Sequence, residues 1–511
     1  MISSSSLHEI LPLLLWLPLI AVMLPILSGA ALLARPISGP RRRHASIMAA
    51  TSATSLAALA AAALAPEERL VLWQITGSLS LSFRMDDVAR TVCVLVAIIW
   101  PLATLYAFEY LKRRPPEDRF FAFFMPTFGI LLGVALAADI VTLYLFFELL
   151  TLMTLPLVMH SQQREAIRAT VKYLFYSLTG AAMALGGLFF FHAYGRTTVF
   201  TPGGVLDMAK IAGHEGPLLW AAFVTLMGFG AKAGLVPLHA WLPTAHPVAP
   251  TPASAVLSGL ITKAGVVAMI RTIYFIVGPD FLRGTWAQWA LISMALVTIF
   301  MGSMLAYKEK HLKRRIAWSS VSQVSYVVLA LMLLDHSGLV GAMLQMVAHA
   351  LAKSCLFLSA GVVIYFTMPG ANYHYADQLR GVGKELPVTM TCFGVASLSL
   401  IGIPMTGGFV AKWYIASGAL DPSLGWLGYA AVGVLMISAV LTAGYLMPIV
   451  IDAFFPGEGY DASEVHRFHM PFVMRLPLMT LSAGAILTGL CAGPLVRALG
   501  GMAAALLRNV P

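Results

Sequence analysis

Charged side chains are scarce in this chain. Asp, Glu, Lys and Arg make up only 11% of its 511 residues, against roughly 25% in a typical soluble domain. Hydrophobic residues make up 59%, and the mean hydropathy is +0.82. These values exclude a large soluble domain and place the chain in the membrane class. Since about 20 apolar residues cross a bilayer core, the length allows a dozen or more spans.

Cysteine clusters and nucleotide-binding motifs are also missing. The four cysteines are scattered and form no CxxC pair, so neither a metal site nor a disulfide framework is predicted. No Walker A motif and no dinucleotide fingerprint is present, which argues against nucleotide-driven chemistry in this chain, and no cofactor is expected. The net charge of +10 lies mostly in short loops, which indicates membrane topology and not nucleic-acid binding.

The apolar runs predict about fourteen transmembrane helices. Only helices and closed barrels satisfy backbone polar groups in lipid, and these runs are too long and continuous for barrel strands. The first ten residues are polar and lack a basic region, so no cleavable signal peptide is expected. The predicted spans are 11–33, 45–65, 87–111, 120–138, 140–160, 167–194, 217–239, 250–277, 286–306, 314–334, 338–366, 386–418, 425–455 and 471–495.

Basic residues concentrate in the loops that follow odd-numbered spans. Clusters lie at residues 41–43, 112–114 and 308–315, whereas the loops around 66–68 and 335–336 are poor in Lys and Arg. Positive charge favours the cytoplasmic side. We therefore expect a multi-pass protein of the cell inner (plasma) membrane, with the odd-numbered loops in the cytoplasm and both termini outside it.

The seventh and twelfth predicted spans carry Gly and Pro in their interiors. They read GFGAKAGLVP at 228–237 and GIPMTGGFVAK at 402–412, with Lys232 and Lys412 close to the weak points. Spans five apart run in opposite directions, so the pair predicts two inverted five-helix repeats, an arrangement typical of transport sites. Two ordinary kinked helices are the alternative. The predicted division is helices 1–3 in 1–115, the first repeat in 116–280, the second in 281–456 and the last helix in 457–511.

Four lysines and one glutamate lie deep within predicted spans. A lysine at the bilayer centre costs about 2.5–3.5 kcal/mol on insertion scales. Four such lysines are too costly to be accidental, so they are expected to face the interior of the bundle, with partners or water. The five residues are Glu148, Lys232, Lys263, Lys353 and Lys412.

His349 and Gln345 extend this set, because they lie one and two turns before Lys353 on the same helical face. Burial disfavours the charged form of a lysine, and a nearby carboxylate favours it. Moving Glu148 toward or away from Lys232 would therefore switch that lysine between holding and releasing a proton, which predicts a proton relay. Static ion pairs between helices are the alternative, but one carboxylate cannot neutralise four lysines.

Other titratable residues near span ends are weaker candidates. His239 and His246 flank the predicted cytoplasmic end of span seven. Two histidines without a third ligand give poor support for a metal site, so we interpret them as the place where protons enter. The remaining charges are interpreted as snorkelling or interfacial side chains: Lys172, Asp452, Asp139 and Arg271.

Several motifs occur in the order found in one known family. The segment over residues 85–455 resembles the antiporter-like subunits of respiratory complex I, of Mrp-type multisubunit Na⁺/H⁺ antiporters and of membrane-bound hydrogenases. The motifs are FELL at 147–150, KYL at 172–174, AKAGLVPLHAWLP at 231–243, PTPASAVLSGLITK at 250–263, LKRRIAWSSVSQ at 312–323, HALAKSCLFL at 349–358 and GFVAK at 408–412.

The resemblance implies a role for each buried charge. It assigns Glu148 and Lys232 to the ion pair of a first half-channel, Lys263 to the central lysine of the eighth helix, His349 and Lys353 to the axis that links two halves, and Lys412 to the terminal charge of a second half-channel. It also implies that a coupled module elsewhere drives the protons across.

The subtype rests on fewer positions. Ser258 stands where the longest complex I subunits carry a histidine, Lys412 replaces a glutamate, and no long lateral helix follows the fourteenth span. These features favour an Mrp D-type or hydrogenase-type subunit. His311 stands where many relatives have an aspartate, so the ion pair of that loop is not expected here.

The main hypothesis is a proton-translocating subunit of an Mrp D-type cation/proton antiporter or a related redox-driven pump. It is not expected to be catalytic alone, but to serve a translocase such as a membrane-bound hydrogenase or an NADH:quinone oxidoreductase-like complex. Its expected partners are other membrane subunits, the lipid bilayer, protons and, as an open question, Na⁺. The alternatives are a self-sufficient secondary cation/proton transporter and a scaffold that has lost transport.

Overall fold

The computed structural model describes residues 14–35, 37–366, 374–457 and 468–507. Most of this part of the chain is helical. The long helices, in chain order, are α1 Leu17–Ala34, α2 Pro40–Leu64, α3 Asp87–Tyr110, α4 Glu117–Leu136, α5 Ile140–Val158, α6 Arg164–Tyr194, α7 Glu215–Ala233, α8 Thr251–Val277, α9 Trp286–Lys308, α10 Leu312–Met332, α11 His336–Tyr365, α12 Pro387–Ile401, α13 Gly407–Ala419, α14 Gly425–Phe454, α15 Phe472–Leu490 and α16 Ala492–Leu506.

The helices confirm the predicted all-α membrane fold. Within the described residues, 12 helices are long and apolar enough to cross a bilayer. The predicted fourteen spans are these 12, together with α10 and the interrupted pair α12 and α13. Helix α10 is less apolar because it carries several serines and Gln323. The last predicted span corresponds to α15, and α16 is a further helix that the sequence patterns did not separate.

Both predicted interruptions are present. Helix α7 ends at Ala233, and the chain continues through a left-handed Gly234 into the short helix Leu242–Val248. The twelfth span breaks after Ile401, again at a left-handed glycine, and resumes at Gly407 as α13. Interruptions at matching positions, five spans apart, agree with two inverted repeats. The proposed domain limits at 116, 281 and 457 stay a prediction.

Helices α8, α10 and α11 form the interior of the bundle. Every residue of α8 is buried, and so are most residues of α10 and α11. Helix α8 is not uniform, since it widens into π-type turns at Leu257–Ile261 and Arg271–Val277. Wide turns of this kind are frequent at functional sites, because they leave some backbone carbonyls without their usual helical partner.

A two-stranded hairpin, which the sequence patterns did not predict, lies between α2 and α3. Strand β1 (Leu70–Gln74) pairs antiparallel with β2 (Ser80–Phe83). The hairpin meets the junction of α4 and α5, where Asp139 caps α5 through the Thr142 amide at 2.8 Å. Asp139 is fully buried and also accepts a hydrogen bond from Ser82 Oγ. The hairpin therefore covers Asp139 at the end of the span, so its carboxylate is held by hydrogen bonds and is not exposed.

Arg271 is not the interfacial anchor that the sequence predicted. Its side chain is fully buried, and the guanidinium donates to both carboxylate oxygens of Asp86, at 2.5 and 2.9 Å, and to the Ala135 carbonyl at 3.1 Å. Burial alone would raise the pKa of the Asp86 carboxyl, but the charge and hydrogen bonds of Arg271 hold that pKa below its usual value. The pair ties α8 to the start of α3.

Replacing Asp86 with Asn tests this pair. Asn keeps the cap that Asp86 makes to the Ala89 amide, so the substitution D86N removes mainly the negative charge. It leaves the Arg271 guanidinium buried without a counter-charge, and we expect the free energy of unfolding to fall by about 3 kcal/mol. Thermal unfolding of the detergent-solubilised protein measures this change. The matched control is D87N at the neighbouring exposed residue, where the melting temperature should stay within error of the parent.

Candidate functional site

Lys232 lies in the last turn of α7 and reaches across to α5. Its side chain is only 1% exposed. The Nζ atom donates to the Phe147 carbonyl at 3.1 Å and to Thr151 Oγ1 at 2.7 Å, and it lies 4.2 Å from the centre of the Phe147 ring. The ammonium group is therefore held by neutral oxygens and an aromatic face, a favourable setting for a desolvated cation.

Glu148 is adjacent to this contact, but the predicted ion pair is open. Among the described residues, no carboxylate lies within 4.0 Å of Lys232 Nζ. Glu148 follows Phe147 directly on α5, is half-buried, and has one carboxylate oxygen that is buried without a hydrogen-bond partner. The carboxylate and the lysine thus belong to one contact between α5 and α7. The unpaired buried oxygen of Glu148 can accept a hydrogen bond there.

Lys263 lies directly after the first wide turn of α8. Its Nζ donates to the Ser258 carbonyl, five residues earlier, at 2.7 Å. The same carbonyl, within the wide turn, also accepts a hydrogen bond from Thr262 Oγ1 at 2.9 Å. At Gly259 a Cβ atom would collide with Ser354 Oγ and lie 3.2 Å from the Ala350 carbonyl. Glycine therefore permits the close crossing of α8 and α11.

This crossing brings Lys263 against His349. Lys263 Nζ and His349 Nδ1 share one hydrogen bond at 2.5 Å, and both side chains are buried. Two protonated groups cannot form it, because each would be a donor only. Two unit charges at this distance would also repel by about 7 kcal/mol at an effective dielectric constant of 20. The pair therefore holds at most one excess proton.

Lys353 and Gln345 both contact α10, on the face of α11 that they were predicted to share with His349. Lys353 Nζ donates to the Ile316 carbonyl at 2.9 Å and to Ser319 Oγ. Gln345 Nε2 donates to the side-chain oxygen of Gln323 at 3.0 Å. All of these side chains are buried, so α10 and α11 enclose a polar strip within the bundle.

Lys412 lies in α13, and its ammonium group meets the end of α12. The Nζ atom donates to the carbonyls of Leu400 and Ile401, at 2.6 and 2.7 Å, and lies 5.2 Å from the centre of the Tyr326 ring. The last carbonyls of a helix have no intrahelical partner and carry the negative end of its dipole. The break in the twelfth span therefore supplies the oxygens that hold this lysine.

The two candidate histidines differ in environment. His246 is fully buried, its ring stacks on Phe357 at 4.7 Å, and neither ring nitrogen has a hydrogen-bond partner among the described residues. Burial and the charges of Lys313 and Lys353 lower the pKa of His246 to about 3. His239 is half-buried, and burial and Lys172 lower its pKa as well. Both are neutral near pH 7, and their role in proton uptake stays a prediction.

A cavity of about 910 Å³ opens on the face that carries the odd-numbered loops. We call this side the basic face. The cavity is lined by residues of the loops after α3, α5, α7, α9 and α11 and of the first turns of α6 and α10. Its basic residues include Arg114, Arg168, Lys172 and Lys313. Lys313 is itself buried and donates to the Ala249 carbonyl at 3.0 Å. The sequence patterns assigned it only to a loop, because nothing in them located its partner.

Of the predicted charges, Lys232, Lys263, His349 and Lys353 are buried inside the bundle, whereas Glu148 and Lys412 are half-buried. Only two of these side chains contact each other directly. Lys263 contacts His349, whereas Lys232, Lys353 and Lys412 each rest on backbone carbonyls. Three contacting side chains escaped prediction: Thr151, Ser319 and Gln323. The polar run SSVSQ at 319–323, within an apolar helix, was the available signal for two of them.

Comparison with known proteins identifies the family of the chain. A family model described as NADH:quinone oxidoreductase/Mrp antiporter, transmembrane, matches residues 137–441. The chain is 32% identical to NADH-quinone oxidoreductase subunit N of Desulforudis audaxviator, over 93% of this chain and 95% of the relative. It is 30% identical to hydrogenase-4 component B of Escherichia coli, over 65% of this chain and 50% of the relative.

A solved structure shares the fold. A chain of the Mrp complex from Dietzia sp. superposes with a TM-score of 0.82 at 22% identity, and the alignment covers 98% of both chains. At this identity the likeness concerns the fold alone.

Replacing Gly402 with Ala tests the oxygen cradle of Lys412. Gly402 has φ +89°, and an added Cβ would lie 2.8 Å from Lys412 Cδ and 3.3 Å from its Nζ. The left-handed conformation alone costs a residue with a side chain roughly 1–2 kcal/mol. We expect G402A to lower the free energy of unfolding by at least about that amount. The matched control is G433A in α14, where a Cβ meets nothing within 4 Å and helix propensity favours Ala. Thermal unfolding measures both variants, and an equal decrease in the melting temperatures of G402A and G433A would contradict this expectation.

Proposed function

Because the chain belongs to the NADH:quinone oxidoreductase/Mrp antiporter transmembrane family, we propose that it translocates protons as one subunit of a multisubunit membrane complex. The complex is a cation/proton antiporter of the Mrp D type or a related redox-driven ion pump, such as a membrane-bound hydrogenase or an NADH:quinone oxidoreductase-like complex. In the second case other subunits carry out the redox chemistry, and this antiporter-like subunit supplies the proton path.

One observation carries the proposal. Within the described residues, the four relay lysines, three of them buried and Lys412 half-buried, have no carboxylate at ion-pair distance, and each donates to neutral oxygens. A lysine in a static structural pair needs a permanent counter-charge. A lysine on carbonyl and hydroxyl oxygens keeps a site for its proton without such a counter-charge, so it can gain and lose that proton as its neighbours change charge.

The first step involves the contact between α5 and α7. Approach of the Glu148 carboxylate to Lys232 would favour the protonated lysine, and its withdrawal would favour proton release. Thr151 and the Phe147 carbonyl hold the amine in place in either state. The released proton would pass toward Lys263 in the interior of the bundle.

The second step crosses between the two halves. Because Lys263 and His349 together hold at most one excess proton, a proton that arrives at Lys263 can stay only if His349 is neutral. Transfer of that proton to His349 and then to Lys353 would leave Lys263 and His349 neutral, so that Lys263 could take up the next proton. Lys412 is the last group of the proposed relay.

Orientation and location follow from the basic loops. We propose that the basic face lies in the cytoplasm, that both termini lie outside it, and that the chain resides in the cell inner (plasma) membrane. His239 and His246 remain the proposed uptake residues near the basic face. Na⁺ movement, in an Mrp-type complex, is proposed for the complex and not for a particular residue of this chain.

Replacing Lys232 or Lys412 with Ala should abolish proton flux and leave assembly intact. Membrane vesicles that contain the assembled complex, a K⁺ diffusion potential and an interior pH dye measure the flux directly, whatever normally drives the complex. Co-purification of the partner subunits reports assembly. The control is K210A, an exposed lysine outside the relay, whose flux should match the parent. A proton flux equal to that of the parent in both K232A and K412A would contradict the proposal.

Arginine at the same positions separates a relay from a fixed charge. Arginine stays protonated in proteins, so K232R and K412R keep the positive charge but cannot release the proton. A relay predicts that both variants are as inactive as the alanine variants, whereas a fixed structural charge predicts that arginine restores function. Flux from the purified chain alone in proteoliposomes would favour the self-sufficient transporter instead.

A further inference from the structure

Hydroxyl side chains converge where α9, α10 and α14 meet inside the second half of the bundle. Ser303 Oγ lies 2.8 Å from Ser322 Oγ and 2.6 Å from Ser438 Oγ, and Ser322 lies 3.3 Å from Ser438. All three side chains are fully buried. Each hydroxyl is both a donor and an acceptor, so the cluster is an unbroken hydrogen-bonded group within an apolar surround.

The hydroxyls continue along α14 toward Lys353. Ser438, Thr442 and Tyr445 recur at intervals of four and three residues, so they share one face of the helix. The Tyr445 hydroxyl donates to Thr442 Oγ1 at 3.2 Å and also reaches the side chain of Ser319. Ser319 in turn accepts a hydrogen bond from Lys353 Nζ. One end of the row therefore meets a relay lysine.

The other end of the row approaches Lys412. The Tyr326 hydroxyl donates to the Leu435 carbonyl at 3.3 Å and also reaches the Ser438 side chain. The ring of Tyr326 lies under the Lys412 ammonium, 5.2 Å from its Nζ. Lys353 and Lys412, which have no direct contact, are thus linked through residues of α10 and α14.

Small polar residues also serve helix packing in membranes, and serine fits such seams well. Packing alone does not explain why the row includes two buried tyrosines and a threonine, whose hydroxyls all point into the same seam. Nor does it explain why both ends of the row lie at lysines of the relay.

We propose that this hydroxyl seam, formed by Ser319, Tyr445, Thr442, Ser438 and Tyr326, conducts protons between Lys353 and Lys412. Each hydroxyl accepts one proton and passes on another, so no group carries a lasting charge and the net change is one proton moved. Thr442 Oγ1 donates to the Ser438 carbonyl at 2.7 Å, so the step between these two hydroxyls requires a bridging water. The last step, from the Tyr326 hydroxyl to Lys412, also requires a bridging water, because the ring of Tyr326 and not its hydroxyl contacts the lysine. The inference rests on the proposed function of the two lysines.

Thr442 gives the sharpest test, because two substitutions separate the hydroxyl from the shape. T442V keeps the shape and removes the hydroxyl, whereas T442S keeps the hydroxyl and removes a methyl. Conduction through the seam predicts that potential-driven proton flux in vesicles falls at least roughly tenfold in T442V and is largely restored in T442S. A packing role predicts the opposite result, with flux retained in T442V and reduced in T442S. S438A should reproduce the loss seen in T442V.

The matched control is T54V in α2. Thr54 is also a fully buried threonine, and it donates to the carbonyl four residues earlier, at 2.9 Å. Its flux should equal that of the parent. If T442V and S438A have the same flux as the parent while K412A has none, the seam does not conduct protons but the proposed relay is retained. If K412A also has the flux of the parent, both the seam and the role of Lys412 in the relay are contradicted.

Discussion

The structure depends on how a cation is held inside a membrane. A charged side chain in the bilayer core is costly, and an α-helix uses its own carbonyls for internal hydrogen bonds. Spare oxygens therefore come from places where the helix is irregular or where a hydroxyl is near. Lys263 uses a carbonyl within a wide turn, and Lys412 uses the last two carbonyls of a broken helix. Lys232 and Lys353 lie against regular helices, and each combines one carbonyl with a hydroxyl. Irregular segments thus supply the oxygens for two of the four lysines, and neighbouring hydroxyls help to hold the other two.

The chain buries two kinds of cation in two different ways. Arg271 is paired with a carboxylate through two hydrogen bonds, and arginine does not release its proton. Lys232, by contrast, is bound by a carbonyl and a hydroxyl, with its carboxylate neighbour at a distance. The first arrangement fixes the position of α8 at all times. The second leaves the charge of the lysine open to change, which is the property that a relay needs.

The sequence predicted the elements of this fold better than their contacts. Long apolar runs identify the spans, and Gly and Pro beside Lys232 and Lys412 identify both interruptions, because these signals are local. Arg271 was misread as interfacial, since its partner Asp86 is 185 positions away and no local pattern points to it. The wide turn at Leu257–Ile261 was also invisible, because its residues differ little from those of an ordinary apolar helix.

The candidate site shows the same limit. The cost of burial alone selected the four lysines and Glu148 from the sequence, and the structure places all five inside the bundle or at its polar contacts. Which oxygen holds each ammonium could not be predicted, because those oxygens come mostly from other helices. The serines of α10 were noted only within a motif, because nothing local indicates that Ser319 contacts Lys353 or that Ser322 meets α14.

The contact between Lys263 and His349 links the two halves more tightly than a row of separate charges would. At 2.5 Å the two groups compete for one proton, and the repulsion of about 7 kcal/mol between two charged forms exceeds the energy available from most single hydrogen bonds. A proton can therefore stay on one group only while the other group is neutral. In the proposed relay, whether Lys263 can hold a proton would then depend on whether His349 has passed its own proton on to Lys353. Coupling of this kind needs no large movement of helices, because a change in the charge of His349 directly changes the proton affinity of Lys263.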